Sequence, residues 1–99
     1  MSSTPLDLQA LPGAEIILEG LADLDSGRET ECSDAVLMAS ARLRAAGLDI
    51  TSPPMETVAA HRLYDRLAEA DPRNAHSRYN AIVRRVVSFA RAVENARSR

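Results

Sequence analysis

Three carboxylates in the first half of the chain recur at the spacing of one helical face. Glu15, Glu19 and Asp23 are each four residues apart, and side chains at that interval lie on the same side of an α-helix. Inward-facing carboxylates bind metal ions in helical bundles, but such sites also need Glu-x-x-His motifs on facing helices, which this sequence lacks. We therefore predict a solvated acidic face, and neither a metal ion nor a cofactor.

The chain has two histidines, the residue type best suited to proton transfer near neutral pH. His61 precedes Asp65 by one helical turn, and both fall on the polar side of a predicted helix, where a surface pair is the ordinary outcome. His76 falls near the start of the last predicted helix, where the helix dipole favours the neutral imidazole. We assign no catalytic residue. Whether the surface around His76 has a function beyond packing depends on the groups that surround this histidine.

The segment around His76 has an order of residue types found in one nuclease family. In RNAHSRY, Arg73 and Asn74 are followed by His76 and Tyr79. This order resembles the active-site motif of HEPN ribonucleases, small helical dimers in which an Arg, often followed by Asn, precedes a His and a Tyr. The family has a longer interval between the Arg and the His than the two residues found here. The resemblance covers seven residues and implies a ribonuclease as an alternative function.

Cys32 is the only cysteine, so it predicts neither an intrachain disulfide nor a zinc site. The adjacent carboxylates of Glu31 and Asp34 should raise its pKa rather than lower it. We predict a small buried apolar residue in a reducing cytoplasm. Neither a signal peptide nor a sufficiently long apolar stretch is present, so we expect a soluble protein that is not associated with a membrane.

The composition predicts an all-α fold. The chain is 45% hydrophobic and 26% charged, with a net charge of −2 and three aromatic residues, so the core must be mainly aliphatic, which favours helices. A length of 99 residues suits one domain. After an N-terminal tail, 1–12, we predict a single domain, 13–97, that forms a compact four-helix bundle or an orthogonal helical array. Its predicted helices are 13–26, 31–46, 53–70 and 74–96.

Local signals set these boundaries. Gly27 is expected just after the first helix, Thr30 or Ser33 should cap the second, and Ser52 followed by Pro53 is a strong start for the third. In the third helix, Arg62 and Arg66 are predicted to face water, on the side opposite the leucines.

The second predicted helix is apolar around most of its circumference. A helix of this kind is buried on several sides, either in the middle of the domain or at a subunit interface. We therefore expect a homodimer. The candidate partner-binding residues on this helix are Val36, Leu37, Met38 and Leu43.

The last predicted helix has an apolar face opposite an arginine face. The arginine face, formed by Arg78, Arg84, Arg85 and Arg91, has the charge needed to contact phosphates. It offers no aromatic residue for base stacking, and no helix-turn-helix motif precedes it. We therefore predict a solvated face or a set of ion-pair partners, with nucleic-acid binding as the alternative.

The two halves of the chain carry opposite charge. Residues 1–50 contain nine acids and three arginines, a net of −6, and residues 51–99 contain nine arginines and five acids, a net of +4, which together give −2. These charges are predicted to meet within one chain or across a dimer. The sequence favours a non-enzymatic module for protein–protein interaction or oligomerisation, whose partner is a second copy or another protein. The alternative is a nucleic-acid-associated regulator or HEPN-like ribonuclease that uses the arginine face and His76.

Overall fold

The computed structural model describes residues 8–50 and 55–97, and every regular element in these ranges is helical. A short 3-10 helix, Leu8–Ala10, precedes five α-helices, and no strand occurs in the described ranges. The all-α prediction is confirmed, with five helices in place of four. The helices are α1 (Ala14–Asp25), α2 (Glu31–Met38), α3 (Ser40–Ala45), α4 (Glu56–Ala70) and α5 (Ala75–Arg97).

The predicted helix 31–46 is wrong as one continuous element, because the chain leaves helical geometry at Ala39. This residue has φ −103° and ψ 14°, and it separates α2 from α3. Alanine is the best helix former, so local propensity does not produce the break. Tertiary contacts hold it: the buried Ser40 hydroxyl donates to Glu56 Oε1 at 3.3 Å, and Leu43 reaches the core.

Helix α2 lies in the middle of the fold, in contact with α1, α4 and α5. Val36 and Leu43 are completely buried and Leu37 is 6% exposed, while Met38 is partly buried and its Sδ accepts a hydrogen bond from Tyr79. All this burial is supplied by one chain. The apolar surface of α2 therefore gives no support to the predicted homodimer, which stays a prediction.

Helices α1 and α2 approach each other at Gly20. A Cβ atom at this position would lie 2.4 Å from the carbonyl oxygen of Cys32 and 2.5 Å from Cγ2 of Val36, far inside van der Waals contact. The missing side chain therefore permits the close packing of the two helices. From α5, the fully buried Phe89 and Val93 complete the same core.

Helices α1, α4 and α5 begin and end close to their predicted positions. Thr30 is the N-cap of α2 and forms a capping box with Ser33, in which each side chain accepts a hydrogen bond from the other residue's backbone N–H. Ser52 and Pro53 lie outside the described residues. Leu8 and Leu11, from the predicted tail, pack against the core. Among the described helices, none combines the length and apolarity needed to cross a bilayer.

Candidate functional site

A buried ion-pair cluster, which we call the Asp34 cluster, joins α2 to α4. The side chain of Asp34 is fully buried; Arg66 Nε donates to its Oδ2 at 2.7 Å, and Arg62 Nη2 lies 3.3 Å from its Oδ1. The prediction that Arg62 and Arg66 face water is therefore wrong for both. Their guanidinium groups turn inward because a buried carboxylate without a cation would be strongly destabilising.

Glu29 extends the cluster to the surface, with its Oε1 3.4 Å from Arg66 and 4.0 Å from Arg62. The hydrogen bond with Asp34 raises the pKa of Arg66 above its usual range. Asp34 Oδ1 and Arg62 Nε are both buried without a hydrogen-bond partner among the described atoms. Both guanidinium groups face the carboxylate of Asp34. The cluster therefore holds α2 against α4 and does not present the carboxylate to a substrate.

The thiol of Cys32 is protonated and unsuited to nucleophilic chemistry. Its Sγ donates a hydrogen bond to Glu19 Oε2 at 3.2 Å. Burial, then the hydrogen bond and charge of Glu19, and then the charges of Asp23 and Glu31 raise the pKa of the thiol to about 12. The thiolate, which is the nucleophile and the metal ligand, is therefore scarce at neutral pH.

The predicted acidic face of α1 is not uniformly solvated. Glu15 and Glu19 are exposed, but Asp23 is only 6% exposed, so the prediction is wrong for Asp23. Its carboxylate accepts a hydrogen bond from Thr30 Oγ1 at 2.7 Å and pairs with Arg28 at 3.1 Å. These contacts fix the turn between α1 and α2. The described residues contain no group of three His, Cys, Asp or Glu side chains that could hold a metal ion.

His76 lies on the surface at the start of α5, and its Nε2 is 3.2 Å from Nδ2 of Asn80. Tyr79, three residues later, directs its hydroxyl to Sδ of Met38 at 3.4 Å and stacks edge-on with Tyr64. Arg73 is exposed and makes no ion pair with any described residue. The residues of the RNAHSRY segment do not converge on one point, and the exposed His61 and Asp65 form no hydrogen bond with each other in the described ranges.

The four arginines of the predicted arginine face differ in whether they form ion pairs. Arg78 forms an ion pair with Glu31 at 3.4 Å, and Arg85 forms one with Glu15. The opposite charges of the two halves thus meet within one chain. Arg84 and Arg91 are exposed, and neither guanidinium group makes an ion pair or hydrogen bond with a described residue.

Arg84 and Arg91 belong to what we call the outer face of α5. Its residues recur every three or four positions and so share one side of the helix. At a rise of 1.5 Å per residue, the two arginines are about 10.5 Å apart along the axis. No acid occurs among the residues of this face, which are Ser77, Ala81, Arg84, Ser88, Arg91 and Asn95.

Sequence reasoning identified the arginine face but missed the Asp34 cluster. Asp34 lies three residues after Glu31, where the apolar stretch begins, and Arg62 and Arg66 are one helical turn apart. These positions do not by themselves reveal a buried ion pair, because an acid at such a margin can equally face water. In comparisons with protein-family models, curated proteins and solved structures, no match to this chain was found.

Proposed function

We propose that this protein is a non-enzymatic interaction module that docks an acidic surface of another protein on the outer face of α5. One observation carries the proposal. Arg84 and Arg91 are exposed and unpaired within the described residues, on a face without acids, whereas Arg78 and Arg85 at its margin are paired with Glu31 and Glu15.

The chemistry of the outer face suits carboxylates. A guanidinium group is a planar fork that donates two parallel hydrogen bonds to one carboxylate. The spacing of about 10.5 Å between Arg84 and Arg91 equals that of two acids seven residues apart on a partner helix. Exposed pairs contribute about 0–1 kcal/mol each, so they act mainly on the rate and specificity of association.

A protein partner fits the outer face better than a nucleic acid. Two uncompensated arginines neutralise roughly two phosphates, which gives a weak, salt-sensitive contribution. The outer face contains no aromatic side chain, whereas proteins that bind single strands stack the bases on such side chains.

Another protein is also a better partner than a second copy. Helix α2, whose apolar surface predicted self-association, is covered within the chain. The acids of Glu15, Glu29, Glu31 and Asp34 pair with arginines of the same chain. These four acids are therefore already neutralised and are not free to meet the arginines of a second copy.

Crosslinking followed by titration tests the proposal. A photo-crosslinking amino acid in place of Ser88 should capture one partner in cells, and the same group in place of the exposed Thr57 on α4 should not. Binding of the purified partner is then measured with Arg84→Gln, Arg91→Gln and the double variant. Each single change should weaken binding by up to about fivefold, the equivalent of about 1 kcal/mol. Arg73→Gln, which removes an exposed arginine outside this face, should have no effect.

Three results would overturn the proposal. The first is a partner whose affinity is unchanged in the double variant. The second is a dimer in sedimentation velocity that Arg84→Gln and Arg91→Gln abolish, which would make a second copy the occupant. The third is salt-dependent binding of labelled RNA or DNA that the same variants remove.

A further inference from the structure

An open cleft of about 410 Å³ lies between the start of α1 and the middle of α5. Two arginines and a hydroxyl supply its polar groups, and no acid is among its described lining residues. Those residues are Pro12, Gly13, Arg84, Arg85 and Ser88. Arg84 and Ser88 belong to the outer face of α5, so the cleft is a recess in the proposed docking surface.

Gly13 forms one wall of the cleft, where the chain approaches α5 closely. It is buried, with φ +78°, and a Cβ at this position would lie 2.3 Å from the carbonyl oxygen of Arg85. Only glycine adopts this backbone geometry cheaply and leaves room for α5. The backbone before α1 therefore lies directly against α5 and forms one wall of the cleft beside Arg84 and Ser88.

The two arginines of the cleft differ in what they can still bind. Arg85 is paired with Glu15, whose charge offsets its own. The guanidinium group of Arg84 makes no ion pair or hydrogen bond within the described ranges, so its donors are open to a ligand. Ser88, one turn further along α5, adds a hydroxyl donor.

We infer that this cleft binds an oxyanion that the acidic partner presents, with Arg84 as the main ligand and Ser88 as a second donor. This inference rests on the proposed function and assigns different roles to the two arginines of the outer face. Arg84 anchors one oxyanion in a recess, whereas Arg91, about two turns away, contributes charge alone. A carboxylate and a phosphorylated side chain both have this chemistry, and the test includes each.

Titration with small anions, followed by ¹⁵N–¹H correlation spectra, tests the inference. Sodium phosphate and sodium acetate are added separately at constant ionic strength, with sodium chloride as the reference. At least one oxyanion should cause saturable shifts at the amides of Gly13 and Ser88. Arg84→Gln should weaken its binding about fivefold, the limit expected for an exposed guanidinium group. Arg91→Gln, a matched loss of one exposed arginine from the same face, should leave the titration unchanged, and Ser88→Ala should weaken it by a smaller factor.

The outcomes separate the cleft from the proposed function. Shifts that match those with chloride, or equal losses in Arg84→Gln and Arg91→Gln, would overturn the oxyanion site even where the crosslinked partner still needs both arginines. Arg84-dependent oxyanion binding without any partner captured through Ser88 would support the site and refute the proposed function. Saturation by phosphate but not acetate would identify a phosphorylated ligand, and the reverse a carboxylate. Far-ultraviolet circular dichroism of each variant confirms that the fold is retained.

Discussion

Replacing Asp34 by asparagine removes the charge that holds α2 against α4 while preserving the size of the side chain. Asp34 is fully buried, and its two cationic partners, Arg62 and Arg66, keep 32% and 33% of their side-chain exposure. The substitution leaves two guanidinium groups facing a neutral amide. Because the amide carries no charge, the folded state loses the electrostatic attraction to the two arginines. Their partly buried guanidinium groups do not recover full hydration in exchange.

The magnitude follows from this burial. Removing one partner of a buried ion pair costs about 3–5 kcal/mol. Partial exposure lets the arginines turn towards water, and Glu29 remains 3.4 Å from Arg66, so we expect a loss near the lower end, about 3 kcal/mol. A domain of this size has a total stability of roughly 5–15 kcal/mol. The midpoint of thermal unfolding should therefore fall by roughly 12–24 °C.

Urea unfolding followed by circular dichroism at a helical wavelength measures this loss. Asp49→Asn is the matched control, since Asp49 is exposed and makes no ion pair with a described residue; it should change stability by less than about 0.5 kcal/mol. A cycle with Arg66→Met isolates the pair. The Asp34→Asn, Arg66→Met protein should be less destabilised than the sum of the single changes, by about 2 kcal/mol.

Equal stability of the Asp34→Asn and Asp49→Asn proteins would refute this reasoning. It would mean that the carboxylate of Asp34 is hydrated in solution and that α2 does not pack against α4 as described. A cycle whose two changes are additive would show that Arg66 is not the partner, even with Asp34 buried.

Three further predictions concern the contacts around α1, α2 and α5. Gly20→Ala should lower the free energy of unfolding by about 1–3 kcal/mol through overpacking, although alanine is the better helix former. A higher free energy of unfolding, measured by urea unfolding, would mean that α1 and α2 lie further apart. Alkylation of Cys32 at pH 8 should be at least about tenfold slower than in the unfolded chain, because its pKa is raised from 9.0 to about 12 and little thiolate is present. Glu19→Gln should speed the reaction and Asp25→Asn should not. The raised pKa also makes the free energy of unfolding depend on pH: the contribution of the protonated thiol is complete below pH 9.0 and declines as pH rises towards about 12. Arg78→Met should cost at most about 1 kcal/mol, and less in 1 M salt, as expected for an exposed pair; a larger cost would indicate that this pair is desolvated.

The helices that follow a clear local pattern were predictable from the sequence. The predicted segments 13–26, 53–70 and 74–96 correspond to Ala14–Asp25, Glu56–Ala70 and Ala75–Arg97. Hydrophobic periodicity and capping residues act within a few positions of one another, so they can be read without knowing the fold. The capping box at Thr30 belongs to the same local class.

The break at Ala39 and the burial of Asp23 and Asp34 were not predictable in this way. Each depends on residues distant in the chain: Ser40 contacts Glu56, and Asp34 contacts Arg62 and Arg66. On a helical wheel, an acid at the margin of an apolar face looks the same whether water or a guanidinium group lies opposite. The difference arises only when another helix is placed there.

The candidate site shows the same division. By itself the sequence determined an all-α chain with halves of opposite charge and four arginines on the last helix, because composition and periodicity are local properties. The tertiary structure decided which of those arginines are already used: Glu15 and Glu31 come to lie beside Arg85 and Arg78, and none of the described acids pairs with Arg84 or Arg91. Coulomb attraction depends on separation in space rather than along the chain. The proposed docking surface therefore depends on the packing of α1 and α2 against α5.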